Sequence, residues 1–328
     1  VKGLLYTAII SILALTLVIS CEKDDSGTKP DPSPPETEIG EYWLPVSSNS
    51  AENLYSITRS DSIFLIGGDK SVFSSEQGIS WESSLTGRGN PIYDIEFNGI
   101  VFLAIEPEVV VRSAYGENWS SAYAYITDTL VGIATAGKSA ASAIAVGSDG
   151  QIIGCHGESG SPWGRIVDAP TSRSYNGICY VNDRFLAVGI DTSKGSPHAV
   201  ISVSSPGYEH NWDHITLTQD YSINDIAMLD NKFVAVCDSG RMLVSSDIQV
   251  WTEITSPVTV DLNAIITVDS TLIAVGDSGR IITSTDTENW ETRDSGVLHD
   301  LYDIIASDDM IVTVGAKGII VTSEIPGK

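Results

Sequence analysis

"SGRIITSTDTENWETR", residues 278–293, joins a turn, an alternating apolar run, a small polar loop and a tryptophan. Six further tryptophans repeat the arrangement: the seven stand at 43, 81, 119, 163, 212, 251 and 290, at intervals of 38, 38, 44, 49, 39 and 39 residues. Strand-like repeats with a period near 40 predict the blades of a β-propeller. A second register supports the first. Ile57, Ile95, Ile133, Ile178, Ile226, Ile265 and Ile304 close "LYSI", "IYDI", "LVGI", "YNGI", "INDI", "LNAI" and "LYDI". Eleven residues later, six copies reach a turn position (Gly68, Glu106, Gly189, Cys237, Gly276 and Gly315), while the third inserts three residues before Gly147.

Each repeat predicts four short strands. The first holds the isoleucine and the second is an apolar run such as "FLAVG" or "LIAVG". A turn such as "SDG" or "DSG" follows, its Gly suited to positive φ. The third is "RIITS" or "GIIVTS", and a polar loop leads to the fourth, around the tryptophan. Period-two alternation and β-branched content favour strands throughout. The seventh repeat ends at Lys328 without a tryptophan, and "EYWLPV" near the N-terminus supplies one. The expected fold is all-β: a seven-bladed propeller of four-stranded blades over residues 41–328, its last blade closed by the N-terminal strand, residues 41–47. A tryptophan recurring on each outermost strand would pack between neighbouring sheets, so it reads as scaffold.

The first 40 residues read as an address. Lys2 precedes the apolar run "GLLYTAIISILALTLVIS", which stops at Cys21, short of a comfortable span. "VISC" resembles the bacterial lipobox, which makes residues 1–20 a signal peptide and Cys21 the lipidated first residue. Residues 21–40, "CEKDDSGTKPDPSPPETEIG", read as a disordered acidic and Pro-rich tether. Its "EKDD" resembles the export signal of Bacteroidetes surface lipoproteins. Those resemblances imply a lipid anchor in the cell envelope, on the outer-membrane surface facing outward, with the lipid as the sole membrane contact. A net charge of -25 with only 18 Lys and Arg argues against nucleic acid as a partner. Cys155, Cys179 and Cys237 have no CxxC spacing and read as buried small hydrophobes.

"SSEQGISW", residues 74–81, resembles the Asp-box (BNR repeat) of sialidase-like propellers, with Glu76 in place of Asp and Ser80 in place of Thr. "SSDIQVW" and "STDTENW" keep Ser245, Asp247, Ser284 and Asp286, but read as one residue shorter and without the Gly. "SAYGENW" keeps less. The repeat unit also resembles propellers of the photosystem II stability/assembly-factor type. In the resembled family the box is structural and lies on the face opposite the active site. Sialidase activity there needs three Arg on the substrate carboxylate, a Tyr–Glu nucleophile pair and an acid/base Asp. The early Arg motif is absent here, and no catalytic residue is assigned.

A ligand is expected instead where the first strands start and the second turns into the third. Two residues before each isoleucine stand Tyr55, Tyr93, Val131, Asn176, Asn224, Asn263 and Tyr302; one before stand Ser56, Asp94, Gly132, Gly177, Asp225, Ala264 and Asp303. Such a ring can grip a peptide or sugar by stacking and hydrogen bonding, or can serve its own strands around a wet channel. Arg241 and Arg280, just after their turns, complete the candidate ligand set. His210 and His214 in "HNWDH" share a strand face but lack a carboxylate, so no metal site is expected, and no cofactor is called for. The sequence thus favours a noncatalytic, monomeric cell-surface lipoprotein that binds a protein or a glycan. Two alternatives stay open: a divergent glycan-acting hydrolase, and an assembly factor for an envelope complex. Replacing Cys21 with Ala is expected to move the protein from the membrane to the soluble fraction; unchanged fractionation contradicts the lipobox reading.

Overall fold

The computed structural model describes residues 37–327 apart from 86–87, 125–128, 137–141, 157–161, 169–170 and 207. The expected signal peptide, Cys21 and most of the expected tether lie outside the described residues. The compact unit Thr37–Lys328 contains seven four-stranded antiparallel sheets, arranged as the seven expected blades. The innermost strands are Leu54–Arg59, Asp94–Phe97, Leu130–Thr135, Arg173–Val181, Ile223–Leu229, Leu262–Val268 and Leu301–Ala306. Each packs beside the innermost strand of the next blade, and that of blade seven packs beside that of blade one, so the ring is closed.

Closure comes from the N-terminal strand, Leu44–Ser47. It runs antiparallel to Ile319–Glu324 as the outer strand of blade seven, pairing Leu44 with Thr322 and Ser47 with Ile319. Ser48 Oγ donates to the Gly318 carbonyl at 2.7 Å and extends the seam. The chain meets the propeller slightly before this strand: Glu38 pairs with Arg293 of blade six at 2.9 Å.

Seven apolar clusters fill the junctions between blades, and a tryptophan belongs to each. Trp81 of blade one packs with Val312, Val314 and Ile320 of blade seven. Trp119, Trp163, Trp212, Trp251 and Trp290 likewise pack against the blade before their own. Trp43 completes the set by packing blade seven against Ile273, Val275 and Ile281 of blade six. Truncating such a side chain typically costs about 3–5 kcal/mol.

In four blades the loop before the tryptophan is one device repeated without a change of length. Ser75, Ser113, Ser245 and Ser284 each accept, at Oγ, the N–H of the residue three ahead, at 2.8–3.1 Å. That residue (Gly78, Gly116, Ile248 or Thr287) has positive φ, and its carbonyl receives the indole N–H of the tryptophan three further on. The sequence alignment through Ser74 and Glu76 is therefore corrected by one position. Ser75 is the equivalent of Ser245, and Gln77, not Glu76, stands where Asp247 and Asp286 stand. Asp286 accepts the N–H of Glu288 and Asn289, which holds its carboxyl well below the usual range, the Asn289 N–H contributing most. Left-handed geometry suits Gly and is a strained choice for the β-branched Ile248 and Thr287. At Gly116 the space is also closed, since a Cβ would lie 2.6 Å from the Leu65 side chain.

Deleting residues 41–47 removes one strand ladder and the Trp43 contact, exposing the edge of blade seven. The melting temperature is expected to fall by roughly 10 °C or more; an unaltered melting curve contradicts closure by this strand.

Candidate functional site at the axial mouth

The innermost strands are not regular. In six of the seven, the pairing with the second strand slips by one residue between the third and first positions before the ring isoleucine. The extra residue is Tyr55, Val131, Asn176, Asn224, Asn263 or Tyr302, so the mouth residues are the bulged ones. A bulge leaves its residue out of the ladder and re-aims the side chain. Here all seven mouth residues, with Tyr93 of blade two, line an axial cavity of about 520 Å³.

The mouth has two unlike arcs. Tyr302, Tyr55 and Tyr93 come from blades seven, one and two. The Tyr55 and Tyr302 rings stack at 6.0 Å with 16° between planes, and Tyr93 meets Tyr55 edge-on at 5.7 Å. All three are half-buried, and Tyr55 Oη donates to Asp69 at 2.7 Å. Asn176, Asn224 and Asn263 form the second arc, on blades four to six, and their amides reach across the junctions. Nδ2 of each donates to the carbonyl of a residue starting the next innermost strand: Ile223, Leu262 and Leu301 at 3.2, 3.0 and 2.8 Å. Asn224 and Asn263 also bind the turn residues Asp238 and Asp277 of their own blades.

One residue deeper, three carboxylates bridge blades. Asp303 accepts the N–H of Ile304 in blade seven and of Ile57 in blade one, both at 2.7 Å. Asp94 accepts from Ile95 at 2.8 Å and from Ile133 of blade three at 2.7 Å. Asp225 accepts from Ile226 at 2.7 Å and from Ile265 of blade six at 2.9 Å. Burial pushes all three carboxyls up, Asp225 and Asp303 to about 7, while the N–H donors pull the other way without cancelling it. Where the equivalent residue is small, backbones come close instead: a Cβ on Gly132 would lie 3.5 Å from the Gly177 Cα.

The structure thus gathers Tyr55, Tyr93, Asp94, Asn176, Asn224, Asp225, Asn263, Tyr302 and Asp303 around one cavity, but with divided roles. The three aspartates and three asparagines spend hydrogen bonds on blade junctions, leaving the tyrosine arc as the freer surface. Arg241 and Arg280 stand directly after their turns, Asp238–Gly240 and Asp277–Gly279, and neither lines the cavity. Arg280 opens the third strand of its blade and Arg241 immediately precedes it in its own, two strand spacings, or roughly 10 Å, from the innermost strand. Arg241 is tied there to Glu253 at 2.7 Å and lies over the Tyr221 ring. Glu96 is the cavity residue that the sequence reading missed. It lines the cavity two residues beyond Asp94, and burial, with repulsion from Asp94 and Asp303, raises its carboxyl to about 8.

Two other groupings are scaffold. His214 Nδ1 lies 2.8 Å from Ser202 Oγ, which contacts Tyr175 Oη at 2.7 Å. Ser202 is wholly buried, so this serine–histidine contact has no substrate access. The His210 side chain lies outside the described residues. Among the described residues, no group of three or more His, Cys, Asp and Glu is arranged to hold a metal. The three described cysteines are free, with Cys155 and Cys237 buried and Cys179 in the cavity wall.

Comparison with known proteins agrees with this geometry at the level of fold. The family model of the DUF6242 beta propeller domain matches residues 166–303. No curated protein matches the chain in sequence. Among solved structures, YCF48 bound to D1 peptide superposes with a TM-score of 0.70 at 18% identity, covering 88% of this chain and 99% of that one. YCF48 from Cyanidioschyzon merolae gives 0.68 at 18% identity, covering 85% and 98%. The Pan2 WD40 domain of Neurospora crassa gives 0.65 at 12% identity, covering 90% and 98%. At these identities the likeness is one of fold.

Replacing Asp225 with Ala would orphan the N–H groups of Ile226 and Ile265. Each orphaned buried donor costs about 1–3 kcal/mol, so urea unfolding is expected to shift to a clearly lower midpoint. A midpoint equal to the parent's would show that the carboxylate does not join the blades.

Proposed function

We propose that this protein is a noncatalytic binding propeller that recognises an exposed segment of a partner protein at its axial mouth. The reading further takes it to be held at the cell envelope by a lipid on Cys21. The observation that carries it is the tyrosine arc. Three neighbouring blades present half-buried aromatic rings at the entrance of a cavity of about 520 Å³. Aromatic rings offer a large contact area at low entropic cost, which is why they dominate protein recognition surfaces. The solved structure of YCF48 bound to D1 peptide supports the reading by showing this fold in complex with a peptide.

The same cavity bears on the hydrolase alternative. Its described lining residues include Asp94, Glu96, Asp225 and Asp303 but no Arg, so it does not offer the arginine grip on a carboxylate that the sialidase resemblance calls for. The assembly-factor alternative remains compatible with protein binding, since assembly requires holding a partner.

The test is affinity capture from the cell envelope with the full chain and with a Tyr55→Ala, Tyr93→Ala, Tyr302→Ala variant. Losing three aromatic anchors of about 1–2 kcal/mol each is expected to cut recovery of a specific protein at least about tenfold. The variant must melt close to the parent. Equal recovery, or a glycan-array signal with no protein captured, overturns the reading.

A further inference from the structure

Resting on the reading of the mouth as the recognition face, we infer that the axial cavity receives an organic cation. The ammonium or guanidinium end of a ligand passes the tyrosine arc and comes to rest beside Glu96.

The cavity is one-sided in its chemistry. Its described lining residues carry four carboxyls and no Lys, Arg or His. Three of those carboxyls have work in the wall, because Asp94, Asp225 and Asp303 each take backbone N–H groups from two blades. Glu96 joins no two blades in this way. It accepts the adjacent Phe97 N–H at 3.2 Å and hydrogen-bonds the Thr58 side chain of blade one, at a level of the cavity wall shared with Ala134, Cys179, Ile266 and Ile305. A carboxylate in a largely apolar belt is costly unless a charge pairs with it, and the described lining residues supply no cation to do so.

The entrance suits the same ligand. Stacked and edge-on tyrosines form walls against which an alkyl stem packs, and their faces attract a passing cation. The groups facing Glu96 sharpen the selection. Asp94 on its own strand and Asp303 on blade seven are acids, and Thr58 on blade one is a neutral hydrogen-bond partner. A carboxylate ligand would be repelled at that depth, whereas a cation relieves the repulsion.

Protonation follows with a definite sign. Glu96 has its carboxyl raised to about 8 when the cavity is empty, so it holds a proton near neutral pH. A cation entering favours the ionised form and expels that proton. Affinity is therefore expected to rise as pH goes from 6 to about 8 and then to level off.

The experiment is calorimetric titration of the full chain with n-butylammonium, n-butylguanidinium and the neutral n-butanol, in buffers of different ionisation enthalpy. The two cations are expected to bind at least about tenfold more tightly than the alcohol, with proton release below pH 8. Glu96→Gln is expected to cost about tenfold for the cations and nothing for the alcohol. Equal affinity for cation and alcohol, or no proton release from the parent protein, overturns the inference without relying on any variant. A blocked Gly-Gly-Lys-Gly-Gly peptide and spermidine form two further arms. Tighter binding of the peptide assigns the cation to a partner's side chain, and tighter binding of spermidine assigns it to a free polyamine. Loss of cation binding with intact mouth-dependent capture defeats this inference alone. Cation binding with no captured protein defeats the protein-binding reading instead.

Discussion

The unpaired axial edge of the innermost strands is the constraint around which this propeller is organised. An innermost strand is the edge of its sheet, so N–H groups on its axial side have no partner within the blade. At the axis, where backbones converge, such a donor must be satisfied by a neighbour. Asp94, Asp225 and Asp303 each answer two of these donors with one side chain, one in their own blade and one in the next. Junction and mouth are thus neighbours along the strand: one residue lines the cavity, and the next, where it is an aspartate, ties the blades together.

The rim holds the ring by a different force. There the tryptophans fill the apolar wedge between diverging sheets, and each indole N–H is capped by a left-handed residue three positions back in the five copies from Gly40, Gly78, Gly116, Ile248 and Thr287. Burial works at the rim, where sheets are wide apart, and directed polar bonds work at the axis, where there is no room for bulk. The N-terminal strand belongs to both regimes. It brings Trp43 to the junction of blades six and seven and hydrogen-bonds the C-terminal strand.

Much of this is legible in the sequence because both registers are locked to fixed distances along the chain. The isoleucine and tryptophan intervals count the blades, and the constant offset of two residues from each isoleucine identifies the mouth from Tyr55 to Tyr302. What is not legible depends on neighbours across the ring. Asp225 reads as a ligand group until Ile265 is seen to occupy its second oxygen. Arg280 reads as a residue beside its turn, and its distance from the axis follows only from the breadth of the sheet. Glu96 hides in an ordinary alternation, since nothing local says that its surroundings are apolar. The box was misaligned because "SSEQG" offers two serines, and because Ile248 and Thr287 occupy a left-handed position for which local propensity would choose Gly.

The arrangement leaves a protein whose interior is acidic and aromatic at one end of its axis, with most of its polar groups committed to holding the ring. On the proposed reading, recognition falls to the three tyrosines and Glu96. All of this depends on the cross-blade carboxylates, and amide hydrogen exchange of the intact chain addresses them most directly. If Asp303, Asp94 and Asp225 hold the junctions, the N–H groups of Ile57, Ile133 and Ile265 exchange among the slowest in the protein, although they border an open cavity. Rapid exchange at those three amides, alongside protected central strands, would contradict the account.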